Sequence, residues 1–168
     1  MKKKIYRSYL ELTSYKDYRE VKKPTENCFF ELNNSKDFQL NKFFYKNIGK
    51  KHQWVDRLIW TDLNWIKYIS DERLITCILK NNNEMVGYSE LLFTKDIKET
   101  EIAYFGILEE YLGKKFGGYL LSEVIKYSFS LGSTRIWAHT CSLDHKNALK
   151  NYLSRGMKVF NEEVLIVK

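Results

Sequence analysis

The chain has 168 residues, 44% of them hydrophobic, with three cysteines and a net charge of +7. That length supports one sizeable core and one domain over residues 1–168. No apolar run is long enough for a membrane helix, and the start Met1-Lys2-Lys3-Lys4 lacks a signal-peptide core, so a cytoplasmic protein that does not engage the membrane is expected. Cys28, Cys77 and Cys141 form no Cys-x-x-Cys pair, which argues against a disulfide framework. The positive charge is spread along the chain as lysine, with six arginines, and builds no contiguous basic stretch. Nucleic acid is therefore not the expected partner.

Ile5 to Leu12 alternates weakly and predicts an opening strand. Thr13 to Ser35, with Pro24 inside it, predicts loop around a short apolar island at Cys28 to Leu32. Phe38, Leu40, Phe43, Phe44 and Ile48 have helical spacing, with Gly49 as the stop. The next stretch holds Trp54, Trp60 and Trp65 within twelve positions, accompanied by Tyr68. It reads in two ways. One is a helical segment that packs Leu58, Ile59 and Ile66 inward with tryptophan as core filler. The other is an aromatic acceptor wall of Trp54, Trp60 and Tyr68, suited to an apolar or cationic group.

Leu74 to Leu79 and Met85 to Phe93 predict a hairpin around Lys80-Asn-Asn-Asn-Glu84. A second turn, Thr94 to Thr100, leads to a third antiparallel strand over Glu101 to Leu108. Leu120, Leu121, Val124, Ile125 and Phe129 then mark a helix from about Phe116 to Leu131, closed by Gly132. Between that strand and helix lie Gly113, Gly117 and Gly118, a loop whose backbone N–H groups can meet an anion. Arg135 to Thr140 predicts another strand and Lys146 to Ser154 a helix, with Gly156 its stop. Met157 to Phe160 and Val164 to Val167 predict two closing strands. The fold class is α/β, with a mixed, mainly antiparallel central sheet flanked by helices.

Two motifs give this order a family likeness. The strand is followed by Leu112-Gly-Lys-Lys-Phe-Gly117, and the later helix reads Ala148-Leu-Lys-Asn-Tyr152-Leu-Ser-Arg-Gly156-Met157. Over about Leu74 to Phe160 the chain resembles the GNAT superfamily of acyl-CoA-dependent N-acetyltransferases, with its Q/R-x-x-G-x-G/A loop and A-x-x-x-Y-x-x-x-G-F helix. The resemblance implies a transferase that moves acetyl from acetyl-CoA to a primary amine, with no metal. The acceptor would be a small molecule or a peptide, and a homodimer stays open. The CoA pyrophosphate would lie on Leu112, Gly113, Lys114, Lys115, Phe116, Gly117 and Gly118, and the pantetheine arm along Phe105, Gly106 and Ile107. Leu112 and Lys115 depart from the motif, Lys115 replacing a glycine. A positive φ there would cost about 1 kcal/mol.

The same likeness makes Tyr152 the proton donor to the leaving thiolate, against a purely structural tyrosine, and Ile107 N–H the oxyanion donor. Glu101 is the candidate general base, with Glu90 on the preceding strand its competitor. Asn147 or His145 would touch pantetheine or acceptor. His139, Cys141, Asp144 and His145 crowd together in the manner of metal ligands, but the motif running through them needs no ion. The competing function is a CoA-responsive or nucleic-acid-binding module that keeps the fold without catalysis.

Overall fold

The computed structural model describes residues 2–167. Its strands are β1 (Lys3–Leu12), β2 (Cys28–Asn33), β3 (Leu74–Asn81), β4 (Glu84–Thr94), β5 (Glu99–Ile107), β6 (Arg135–Cys141) and β7 (Lys158–Val167). Its helices are α1 (Gln39–Gly49), α2 (Asp62–Ile69), α3 (Phe116–Ser130) and α4 (Ala148–Ser154). The strands form one mixed sheet in the order β2-β3-β4-β5-β6-β1-β7. Only β5 and β6 run parallel, because α3 carries the chain back across the sheet between them.

Each face of the sheet has its own core. On one, Leu120, Leu121, Val124 and Ile125 of α3 pack against Leu79, Val86, Leu91, Ile102 and Ile136. Burying each such side chain is worth about 1.5–3 kcal/mol. On the other face, Phe44 and Ile48 of α1 meet Tyr88 and Leu108. The Phe44 and Tyr88 rings stack 4.7 Å apart. Strand alternation explains the division on β4, where Tyr88 and Glu90 face one way and Leu91 the other.

Several sequence expectations change. The island at Cys28 is a strand, which pairs with β3 to make the sheet edge. The two closing strands are one, β7, because Asn161 to Glu163 keep their pairing with β1 despite their polarity. A register shift near Tyr9 absorbs one residue of β7. Leu58, Ile59 and Ile66 do not point inward: all three are exposed, Ile59 at 88%. Trp65 alone supplies the buried residue of α2, and Thr61 caps that helix by accepting the Asn64 N–H. The predicted stop at Gly156 has φ 100°, and a Cβ there would sit 1.9 Å from the Asp17 carbonyl oxygen. Glycine is required by both its conformation and its neighbour.

Candidate active site

The sheet opens at one place. β5 pairs with β6 through Glu99↔Arg135, Thr100↔Ile136 and Glu101↔Trp137, and no further. Beyond Glu101 the two strands part. On its other side β5 stays paired with β4 to Ile107, with Ala103 inserted as a bulge between Ile102 and Tyr104. The Leu108 N–H donates to the Val86 carbonyl at 2.9 Å. By antiparallel alternation the backbone groups of Gly106 and Tyr104 also turn to β4, so those of Phe105 and Ile107 face the gap. The result is a notch with an unpaired strand edge along one wall.

A cavity of about 1200 Å³ runs through this notch, lined by Glu101, Phe105, Ile107, Gly117, His139 and Tyr152 among others. The glycine loop closes one end. Lys115 holds φ 68° and ψ 9°, the left-handed conformation the sequence raised as a cost. It turns the chain abruptly into α3. The first bond from that turn is Tyr119 N–H to the Lys115 carbonyl, so the N–H groups of Phe116, Gly117 and Gly118 begin the helix without intrahelical acceptors. No acidic residue occupies this first turn. A Cβ at Gly113 would meet nothing within 4 Å, so the approach to the loop is open. Exposed N–H donors, a positive helix end and the Lys115 side chain are the donor set a diphosphate needs. Leu112 is exposed and lines the cavity, but offers no side-chain donor. Lys114 stays outside, its Nζ 5.8 Å from the Tyr111 ring centre.

Two side chains here carry no signal in the reading above. Asn151 Nδ2 donates to the Gly117 carbonyl at 3.1 Å and ties α4 to the loop. Arg155 places Nη1 3.0 Å from where a Gly118 Cβ would stand. Both follow from the helical period that sets Tyr152 on the same helix. Gly106, expected to admit a ligand backbone, instead admits Ile48 of α1: a Cβ would lie 2.5 Å from Ile48 Cγ2.

Glu101 stands where the strands part and lines the cavity. Partial burial lifts its carboxyl above the usual range, and Arg73 pulls weakly the other way. Tyr152 is buried but reaches the cavity, and burial raises its phenol well above 10, with Asp144 adding to the effect. Asn147 lies at the start of α4 and also lines the cavity. The His139 to His145 cluster is engaged in loop bonding. Asp144 accepts the Thr140 hydroxyl at 2.7 Å and the Cys141 N–H at 2.9 Å, and His145 Nδ1 accepts the Asn147 N–H at 3.1 Å. Among the described residues no three His, Cys, Asp or Glu side chains are grouped to hold a metal.

The tryptophan segment corrects two expectations. Glu90 is fully buried and does not line the cavity. Arg57 Nη1 donates to both its oxygens at 3.0 Å, and Asn41 Nδ2 to Oε1 at 3.3 Å. Burial pushes the carboxyl up, the guanidinium pulls it back, and Arg57 is itself held above its ordinary range. A carboxylate sealed in this way is an internal counter-ion, out of reach of an amine. Arg57 in turn lies over the rings of Tyr68 at 4.0 Å, Tyr104 at 4.1 Å and Trp60 at 4.7 Å. The aromatic wall does hold a cation, but the cation is the chain's own. Trp60 stacks in this cage and does not line the cavity, whereas Trp54 and Tyr68 do.

Comparison with known proteins agrees with this geometry. The family model of the acetyltransferase (GNAT) family matches residues 36–157. Curated proteins give no match. Among solved structures, a GCN5-related N-acetyltransferase from Sphaerobacter thermophilus superposes with a TM-score of 0.73 at 17% identity, covering 96% of this chain and 50% of its own. A second, from Kribbella flavida, gives 0.66 at 11% identity, covering 96% of this chain and 56% of its own. An aminoglycoside acetyltransferase from an uncultured soil metagenomic sample gives 0.66 at 12%, covering 79% and 90%. The chain thus spans about half the length of the Sphaerobacter protein, and at these identities the superpositions speak for the fold alone. With the family model matching well over half of its residues, the chain belongs to the GNAT family of acetyltransferases.

Proposed function

We propose that the protein transfers acetyl from acetyl-CoA to a primary amine, with both substrates bound together and no acyl-enzyme. The observation that carries this reading is the notch: an unpaired edge at Phe105 and Ile107 leads from Glu101 to an anion-accepting helix end. That edge suits an extended pantetheine arm, which would pair with it as an added strand. The Phe116 to Gly118 N–H groups and Lys115 suit the diphosphate.

Glu101 takes a proton from the ammonium form of the acceptor, for which a carboxyl raised by burial is a better base. The freed amine lone pair forms the C–N bond, and the Ile107 N–H receives the developing oxyanion. As the C–S bond breaks, its electrons leave with sulfur, and Tyr152 supplies the proton. A phenol raised by burial is a weak acid, but the same surroundings make a thiolate more basic. Burial raises the Cys77 thiol of the core in the same direction. The reaction suits the cytosol, where acetyl-CoA is supplied and the free thiols of Cys28, Cys77 and Cys141 stay reduced.

Two measurements test the reading. Calorimetric titration with CoA is expected to show saturable binding, and no heat at millimolar ligand would refute the loop assignment. Thiol release from acetyl-CoA is expected only when an amine is present. Binding without amine-dependent release would favour the non-catalytic module instead.

A further inference from the structure

The chemical class of the acceptor can be read from what the groove has left unpaired. On the sheet face that carries Glu101, most carboxylates already have a cation. Glu163 pairs with Arg7 at 3.1 Å, Glu90 with Arg57 at 3.0 Å, and Glu11 and Glu99 with Arg135 at 2.6 and 3.3 Å, while in the turn after β5 Glu109 pairs with Lys51. Among the described acids lining the cavity, Asp144 is occupied by two donors, which leaves Glu101 at the notch and Asp56 at the exposed rim. The aromatic cage that could hold an external cation is filled by Arg57. The remaining lining combines apolar side chains with cationic and neutral polar ones. Leu92 lies opposite Glu101 on β4, Trp54, Val55, Ile5 and its β7 partner Leu165 supply apolar surface, and Arg7 and Arg57 are already paired cations.

A second ammonium group against this apolar surface would be desolvated, and beyond Glu101 the unpaired acid that remains is Asp56, which stands in solvent at the rim and offers only a screened charge. An alkyl or aryl body would gain at the same place. We propose that the acceptor is a primary monoamine with an apolar body, an alkylamine or arylalkylamine, rather than a polycation. The inference rests on the acetyl-transfer reading and narrows it. It also separates this chain from the aminoglycoside acetyltransferase whose fold it shares, since aminoglycosides are polyamines.

The test compares hexylamine with 1,5-diaminopentane, which has the same length but ends in a second ammonium in place of a methyl. Butylamine, 2-phenylethylamine and kanamycin complete the series, with acetyl-CoA saturating and thiol release as the readout. Hexylamine should exceed diaminopentane at least tenfold in kcat/KM, through KM, and each methylene from butylamine to hexylamine should add about three- to fourfold. Leu165→Asp, which places a carboxylate on the apolar rim, should reduce the hexylamine preference tenfold or more. The wild-type ratio stands as evidence should that variant fold poorly. Equal efficiencies, or a preference for diaminopentane or kanamycin, would overturn the acceptor class and leave the transferase standing. No release with any amine, but saturable binding of hexylamine and not diaminopentane to the CoA complex, would overturn catalysis and support the acceptor class. Neither release nor binding would overturn both.

Discussion

The two ends of the groove are built on opposite principles. Around Arg57 the buried charges are answered: the guanidinium has Glu90 and three close rings, and Glu90 has Arg57 and Asn41, while the Tyr68 hydroxyl and the Trp65 indole N–H beside them find no hydrogen-bond partner. Around the glycine loop the backbone is left unanswered, with first-turn N–H groups at α3 and a bare β5 edge. Satisfied polar networks hold a structure rigid, while unsatisfied donors beside a cavity await a ligand. The comparison separates support from site. It explains how two carboxylates on adjacent strands, Glu90 and Glu101, can differ in role: one is enclosed by its partner, the other stands at the parting of the strands.

The largest effect should come from breaking the satisfied end. Arg57→Ala leaves Glu90 buried without its counter-charge, and a broken buried pair costs about 3–5 kcal/mol. Thermal unfolding should fall accordingly. Retention of wild-type stability would mean that the pair is not closed in solution. Residual folded protein should still bind CoA, since the cage lies away from the loop.

Next in size is the carboxylate at the notch. Glu101→Gln should lower kcat/KM by about 100-fold or more if Glu101 is the base. The wild-type acid limb should lie above the ordinary carboxylate range, because burial raises this carboxyl. Stability should move the other way. A carboxyl raised in the fold contributes stability below its unfolded pKa and loses it as pH rises through the folded value. At neutral pH the charged form is therefore a burden, and Glu101→Gln should melt no lower than wild type, the gap narrowing toward acid pH. An inactive variant that melts lower at neutral pH would point to a structural role instead.

Tyr152→Phe tests the proton donor with a smaller expected loss, about 10- to 100-fold in kcat, because water can substitute in part. CoA affinity should change little, as the loop contact from this helix is made by Asn151. Unchanged turnover would leave Tyr152 as a packing residue, one of the two readings open from its sequence.

Legibility in the sequence follows the same division. The strand, glycine loop and helix were visible because hydrophobic period and glycine position are local properties, and the Tyr152 motif lies within one helix. The partner of Arg57 was not visible, since Glu90 is 33 residues away and meets it only across α1 and β4. Leu58, Ile59 and Ile66 misled because apolar composition does not reveal which face a short segment buries. The notch is a tertiary fact. Nothing in the sequence of β5 shows where its pairing with β6 stops.

The smallest effect, and the one that most sharpens the contrast, concerns Lys115. Its left-handed backbone at φ 68° costs about 1–2 kcal/mol in a non-glycine residue, while glycine would give back about 0.4–1 kcal/mol through the entropy of its unfolded chain. Lys115→Gly should therefore stabilise the protein by about 0.5–1 kcal/mol, a rise of a few degrees in melting temperature. CoA affinity should fall about two- to fivefold at low salt, the scale of one exposed ion pair, and the loss should fade as salt is added. Calorimetry across a salt series reads both the size and the screening. Such a result would show that this chain keeps a strained lysine where glycine folds better because the ammonium serves the anion. A variant more stable and equally tight would show that backbone donors alone hold the diphosphate.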